Sequence, residues 1–191
     1  MLNLLLFVLL VTISPLAHPQ TPAPRQEHAA ESVRTQYAAA RNARDSLTRQ
    51  SKTLLGQSTE GARATAYFDR DKHLRSIDVT YYGETGRARY EFYFVATNLV
   101  LARERQFTYN APIYFTPKVV KQMLSREGIN QAAFDARKTK VVEHFFRFEG
   151  ERLAEHIGPE VTMDGSPWSA IKESTRMRKT ATEVLSEFAP R

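Results

Sequence analysis

The sequence predicts an α+β fold, an antiparallel meander sheet of about six strands with N- and C-terminal helices packed on one face and a helical insertion before the last hairpin. Three observations lead there. Helical periodicity is confined to the two ends of the chain and to one segment near residue 120. Between them, β-branched and aromatic runs alternate with turn-type residues, which is the strand and hairpin signal. Finally, "YFDRDKHL" (67–74), "YFVATNL" (93–99) and "FRFEGERL" (146–153) each run from aromatic residues through a polar turn to Leu, as three hairpins on one plan would.

Met1 to Ile13 is apolar except for Asn3 and Thr12. That run falls short of the roughly 20 residues a membrane-spanning helix needs and suits the core of a signal peptide. Ser14-Pro15-Leu16-Ala17 then breaks the helix and offers a small residue for cleavage. Residues 1–17 are therefore expected to be a signal peptide, 18–26, with its three prolines, a linker, and 27–191 a single domain. The chain contains no cysteine. In an oxidising compartment this excludes a disulfide framework, and it excludes thiol nucleophiles and thiolate metal sites anywhere. The net charge of +6 favours anionic partners.

From Glu27 onward, Val33, Tyr37, Ala40, Leu47 and Leu54 recur at helical spacing, while Arg34, Arg41, Arg44 and Arg49 mostly occupy other positions; the helix is expected to stop at Gly56. Four strands follow, over Ala62 to Phe68, Leu74 to Tyr82, Arg87 to Val95 and Leu99 to Tyr109. Thr116-Pro117 has the form of an N-cap followed by a first-turn proline, Val119, Val120, Met123 and Leu124 supply an apolar side, and Gly128 ends the helix. Asn130 to Arg137 adds one or two helical turns. Lys140 to Phe148 and Leu153 to Val161 form the last hairpin. Ser166-Pro167 opens a final helix lined on one side by Trp168, Ile171, Ala181, Leu185 and Phe188.

The stretch "YYGETGRARYEFYF" (81–94) fixes a register. Closing a hairpin over Gly83-Glu84-Thr85-Gly86 pairs Tyr82 with Arg87, Tyr81 with Ala88, Val79 with Tyr90 and Ile77 with Phe92. One face then collects Ile77, Val79, Tyr81, Ala88, Tyr90 and Phe92. The other collects Ser76, Asp78, Thr80, Tyr82, Arg87, Arg89, Glu91 and Tyr93. A one-residue slip would mix the two sets. Gly86 is expected to take the left-handed conformation. Continuing with Phe94 opposite Leu99 sets Phe92 against Leu101 and Arg89 against Glu104. In the last hairpin, Phe148 opposite Leu153 sends the rings of His144 and His156 to opposite faces.

No catalytic residue is expected. No Gly-x-Ser-x-Gly elbow, His-x-x-x-His pair or phosphate-binding glycine loop occurs. The facing pair Asp78 and Glu91 could do acid–base work, but neighbouring cations such as Arg89 neutralise it in the simpler reading. No metal site or cofactor is expected. "YNAPIY" (109–114) reads as a strand exit, with Pro112 unable to donate to a ladder and Asn110 bonding locally. The candidate partner-binding residues are Tyr82, Arg87, Arg89 and Tyr93 on the polar face. Aromatic and arginine side chains together can bind single-stranded nucleic acid, but the motif of RNA recognition domains is missing and export argues against that partner.

The N-terminal signal and helix, the aromatic meander with "YYGETG" and "YNAPIY", and the late "FFRFEGERL" hairpin resemble a group of exported bacterial proteins of unknown function, over roughly Gly61 to Gly158. The resemblance implies export and an antiparallel sheet, with no activity to carry over. The functional expectation is a non-enzymatic exported binding or interaction protein, periplasmic or secreted. Its partner would be another envelope protein or an apolar small molecule held between sheet and helices. The alternative is an envelope hydrolase with an unrecognised carboxylate site.

Overall fold

In a computed structural model, residues 24–159 and 168–189 are described, with the side chains of 24–30 excepted. The chain order is helix α1 (Pro24–Asn42), strands β1 (Thr48–Leu54), β2 (Ala62–Phe68), β3 (Leu74–Gly83), β4 (Gly86–Val95) and β5 (Asn98–Thr108), helix α2 (Pro117–Glu127), strands β6 (Lys140–Glu149) and β7 (Arg152–Ile157), and helix α3 (Ala170–Ser186). The strands pair antiparallel in sequence order, so the α+β meander has seven strands rather than six. The extra strand is β1. Leu47 and Leu54, seven residues apart, fit a helical stripe, yet α1 ends at Asn42, and a single 3₁₀ turn (Ala43–Ser46) leads into β1. Its sequence TRQSKTL has no apolar alternation, because an edge strand need not bury a face. α1 begins at Pro24, inside the segment expected as linker; the expected signal peptide, 1–17, lies outside the described residues.

The β3–β4 register is the one the sequence predicts, from Ser76 opposite Tyr93 to Tyr82 opposite Arg87. The next pairing departs from expectation. Phe94 does face Leu99, but Tyr93 then faces Leu101, which leaves Val100 as an extra residue. Phe92 therefore meets Ala102, Tyr90 meets Glu104 and Arg89 meets Arg105. The last hairpin does the same: Phe148 faces Leu153, Arg147 faces Glu155, and Ala154 is extra. So does the first, where Phe68 faces Leu74, Tyr67 faces Ser76, and Arg75 is extra. The three look-alike stretches thus share a one-residue β-bulge at the same place, immediately after the Leu. A bulge inverts the in–out alternation of everything downstream of it.

Gly86 serves the β3–β4 turn through space rather than through a left-handed φ. A Cβ built there would lie 2.3 Å from the Phe107 carbonyl oxygen. The "YNAPIY" segment lies over the same turn, with the Tyr109 and Ile113 amides donating to the Thr85 and Glu84 carbonyls at 2.9 Å each. Asn110 does not bond locally. Its amide donates to the Ala133 carbonyl and its oxygen accepts from the Asp135 amide, at 2.9 and 2.8 Å. α2 follows its sequence signals closely: Thr116 caps it through the Val119 amide, and Gly128 closes it at φ 68°.

The helices sit on opposite faces, not on one. α3 covers the core face, where Met177, Ala181 and Val184 pack with Ile77, Val79, Phe92, Ala102 and Phe146. α1 covers part of the other face, where Val33 and Tyr37 pack with Tyr93, Leu101 and Phe145. That second apolar patch exists because the bulges bring Leu101 and Phe145 to the face expected to be wholly wet. The final helix is capped by Ser169, which accepts from the Lys172 amide; the expected cap, Ser166, lies outside the described residues. Ile171, expected on the buried side of this helix, is 82 % exposed, while Met177 is fully buried.

Phe92 has no exposed surface and lies at the centre of the core face. Phe92→Ala is expected to cost about 3–5 kcal/mol by combining lost transfer energy with a residual cavity. Urea denaturation of the two proteins measures this directly.

Candidate functional site

Parity sorts the arginines of the sheet. Arg49 of β1, Arg63 of β2, Arg87 and Arg89 of β4, and Arg103 and Arg105 of β5 all project from the α1 side. Their common position follows from the register: each is in step with Asp78 and Glu91, and none shares the face of Ile77 and Phe92. α1 covers the β6–β7 end of this face. Arg49, Arg63, Arg87 and Tyr82 remain exposed.

At the border between the covered and open parts lies a charged network. Glu91 is fully buried. Arg105 Nη2 approaches it at 3.1 Å, Arg89 Nε at 3.4 Å, Arg103 Nη1 at 3.8 Å and Arg44 Nη1 at 3.9 Å. Burial pushes the Glu91 carboxyl up from its ordinary value, and the charges of Arg103 and Arg105 oppose that shift. Asp78 is shared by Arg44 Nη1 at 2.6 Å and Arg89 Nη2 at 2.9 Å. Arg103 also pairs with Glu143 and lies over the Tyr37 ring. Among the described residues, Arg44 Nε and Nη2 have no hydrogen-bond partner. The guanidinium lies instead between the rings of Tyr67 and Tyr93, 4.9 and 4.4 Å from their centroids, a cation–π sandwich that compensates part of its desolvation.

The four expected binding residues are therefore divided. Tyr82 (39 % exposed) and Arg87 are on the open surface, and Arg87 stacks on Phe107 with its guanidinium carbon 4.3 Å from the ring centroid. Arg89 stands at the network's edge. Tyr93 is not on the wet surface; it is buried beneath α1, edge-on to Tyr37 at 5.2 Å. Sequence reasoning did not single out Arg44, which 3₁₀ geometry turns inward, or Arg105, which the bulge moves to this face. Asp78 and Glu91 do face each other as predicted.

The core face carries a second polar cluster. Glu104, fully buried, receives both terminal nitrogens of Arg176 from α3, at 2.9 and 2.6 Å. Tyr90 Oη accepts from the same guanidinium at 3.2 Å. Burial alone would raise the Glu104 carboxyl, but the Arg176 hydrogen bonds and charge hold it below its ordinary value. His144 and His156 share this face, contrary to the straight-register expectation, because the bulge at Ala154 shifts His156 by one position. His144 Nδ1 lies 3.0 Å from His156 Nε2, and His156 stacks on Trp168 at 4.1 Å. Gly158 closes over the pair, since a Cβ there would come within 2.4 Å of His144 Nδ1. Burial and the neighbouring imidazole lower His156 to about 4, and burial lowers His144.

Between sheet and α3 the large side chains interlock. The larger recesses open at the margins, one of about 560 Å³ beside Lys52, Phe68, Lys72 and Phe188, one of about 520 Å³ where Tyr81 and Tyr90 of the sheet meet Thr180, Glu183 and Ser186 of α3, and one of about 360 Å³ on the arginine face. In the β2–β3 turn, Asp69, Asp71 and His73 bring ligand-type atoms within 4.8 Å of one another, but Asp69 is already occupied by two turn amides and Arg75. No described helix is long and apolar enough to cross a membrane.

The chain matches no family model, no curated protein and no solved structure.

Two outcomes follow from the core-face cluster. A folded-state pKa held below the unfolded one means that the unfolded chain binds more protons between the two values. Stability is therefore expected to be complete above the unfolded histidine pKa of about 6.5 and to fall as pH drops from there toward 4. Denaturation midpoints across that range check it, and His156→Phe should flatten the slope. Glu104→Ala removes the fully buried partner of Arg176, which keeps its ion pair with Glu173 and part of its exposure to solvent, and is expected to cost about 1–3 kcal/mol, whereas Glu104→Leu combined with Arg176→Met recovers most of the loss. Chemical denaturation of the three variants separates these cases.

Proposed function

We propose that the chain is a non-enzymatic exported binding protein and that its ligand is anionic, engaged through the arginine face. The observation that carries this reading is the uncovered group Arg49, Arg63 and Arg87, spread over one face of β1, β2 and β4. These three exposed arginines, none ion-paired with a described carboxylate, stand beside a network whose acids already have partners. A surface with one sign of charge in excess raises the local concentration of the opposite sign and steers association. Tyr82, and Phe107 under Arg87, add flat apolar area among the charges.

This reading changes the partner expected from sequence. An apolar small molecule between sheet and helices finds the core face occupied by Phe92, Phe146, Ile77 and Met177, all fully buried. The hydrolase alternative needs Asp78, Glu91 and a histidine in one cleft. The sheet sets His144 and His156 on the face opposite the two acids.

The test is native mass spectrometry of the chain purified from its own envelope fraction. The expected result is a chain processed after Ala17 that carries an anionic species, with that species lost from Arg49→Ala/Arg63→Ala. A neutral ligand retained by this variant, or an unprocessed chain in the cytosol, would overturn the reading.

A further inference from the structure

The recess of about 360 Å³ on the arginine face lies where the end of α1 meets β1, β2, β3 and β4. Four arginines line it, Arg41, Arg44, Arg49 and Arg89, against two acids, Asp45 and Asp78. Asp78 is already shared by Arg44 and Arg89. Arg41 and Arg49 meet no carboxylate among the described residues and are exposed to solvent. The recess therefore carries about two positive charges in excess, displayed by side chains from three separate elements. The carbonyl end of α1 works against an anion here, so the attraction must come from the arginines.

We propose that this recess is a binding site for a phosphoryl dianion, a phosphomonoester held by Arg41, Arg49 and Arg89. The inference rests on the anionic-ligand reading above and narrows it. Guanidinium groups bind carboxylate and phosphoryl oxygens alike, as bidentate forks. The number of oxygens decides between them. A phosphomonoester has three terminal oxygens for the three accessible arginines and two charges for the two in excess. A single carboxylate has two oxygens and one charge. Arg44, enclosed between Tyr67 and Tyr93, contributes charge from behind and keeps Asp78 neutralised. Tyr67 forms a wall of the recess, and the volume leaves room beyond the phosphoryl group for a ring-sized substituent packed on that ring.

Calorimetric titration of the full-length protein with phenyl phosphate, malonate and vesicles containing phosphatidic acid tests this. Phenyl phosphate is expected to bind with a salt-dependent affinity that falls about tenfold or more in Arg49→Ala and in Arg41→Ala. Arg126→Ala, an exposed cation on α2 and no part of the arginine face, should leave it unchanged. Both recess substitutions are of exposed side chains, and circular dichroism verifies that the variants fold. Binding of the vesicles with the same dependence on Arg49 places the phosphoryl group on a lipid headgroup, and binding of phenyl phosphate alone places it on a soluble ligand. Malonate binding as tightly as phenyl phosphate overturns the phosphoryl assignment and leaves the anionic reading intact. If no anion binds, both fall.

Discussion

The bulge after each of Leu74, Leu99 and Leu153 is the constraint on which the rest of the structure depends. A strand has two faces and a period of two, so one extra residue exchanges them. Without the bulge at Val100, Glu104 would join Glu91 on the α1 side, and Arg103 and Arg105 would be driven into the core against α3. Without the one at Ala154, His156 would face α1 rather than Trp168. The repeated Phe-turn-Leu unit is thus a device for closing a tight hairpin on an aromatic–leucine pair and then resetting parity, used three times at the same end of the sheet.

Parity in turn leaves each face with one fully buried glutamate, and each glutamate meets an arginine from the helix above it or from the turn that ends that helix. Glu104 has Arg176 from α3 in a two-pronged contact; Glu91 has Arg44, from the turn after α1, at longer range, and three arginines of its own sheet closer by. Such pairs add little net stability over well-packed apolar groups. Their effect here is positional. A buried carboxylate leaves its helix few places to sit, since any sliding strands a charge. The meander supplies the layer, and the two glutamates locate the helices on it.

The parts of this arrangement that were legible in the sequence are those governed by local pattern. The β3–β4 hairpin has no bulge, and its register follows residue by residue from the separation of Ile77, Val79, Tyr90 and Phe92 from Asp78, Arg89 and Glu91. α2 is announced by Thr116, Pro117 and Gly128. What was hidden depended on the bulges or on contacts distant in sequence. A straight register from Phe94 opposite Leu99 buries Leu101 on the wrong face, so the apolar patch that receives Val33 and Tyr37 cannot be seen, and both helices then seem to belong on one side. Tyr93 looks like a surface residue for the same reason. β1 was masked because Leu47 and Leu54 satisfy a helical spacing that Thr48, Ser51 and Thr53 weakly oppose. The arginine-lined recess combines Arg41 and Arg49 with Arg89, which lies far along the sequence from both and meets them only once α1 is placed. One trace was present: the aromatic–turn–Leu similarity of the three hairpins, whose shared geometry includes the bulge.

The separation of residue types across the sheet has a consequence for how the molecule responds to its surroundings. The buried His144 and the half-buried His156 both lie under α3, while the sheet arginines named above lie on the other side. Guanidinium groups keep their charge across the pH range in which imidazoles titrate. Mild acid therefore acts on one layer of the protein and salt on the other, with the sheet as the partition. Acidity and ionic strength can be varied independently, so the grip of α3 and the charge displayed by the arginine face are two separately adjustable quantities built on the same seven strands.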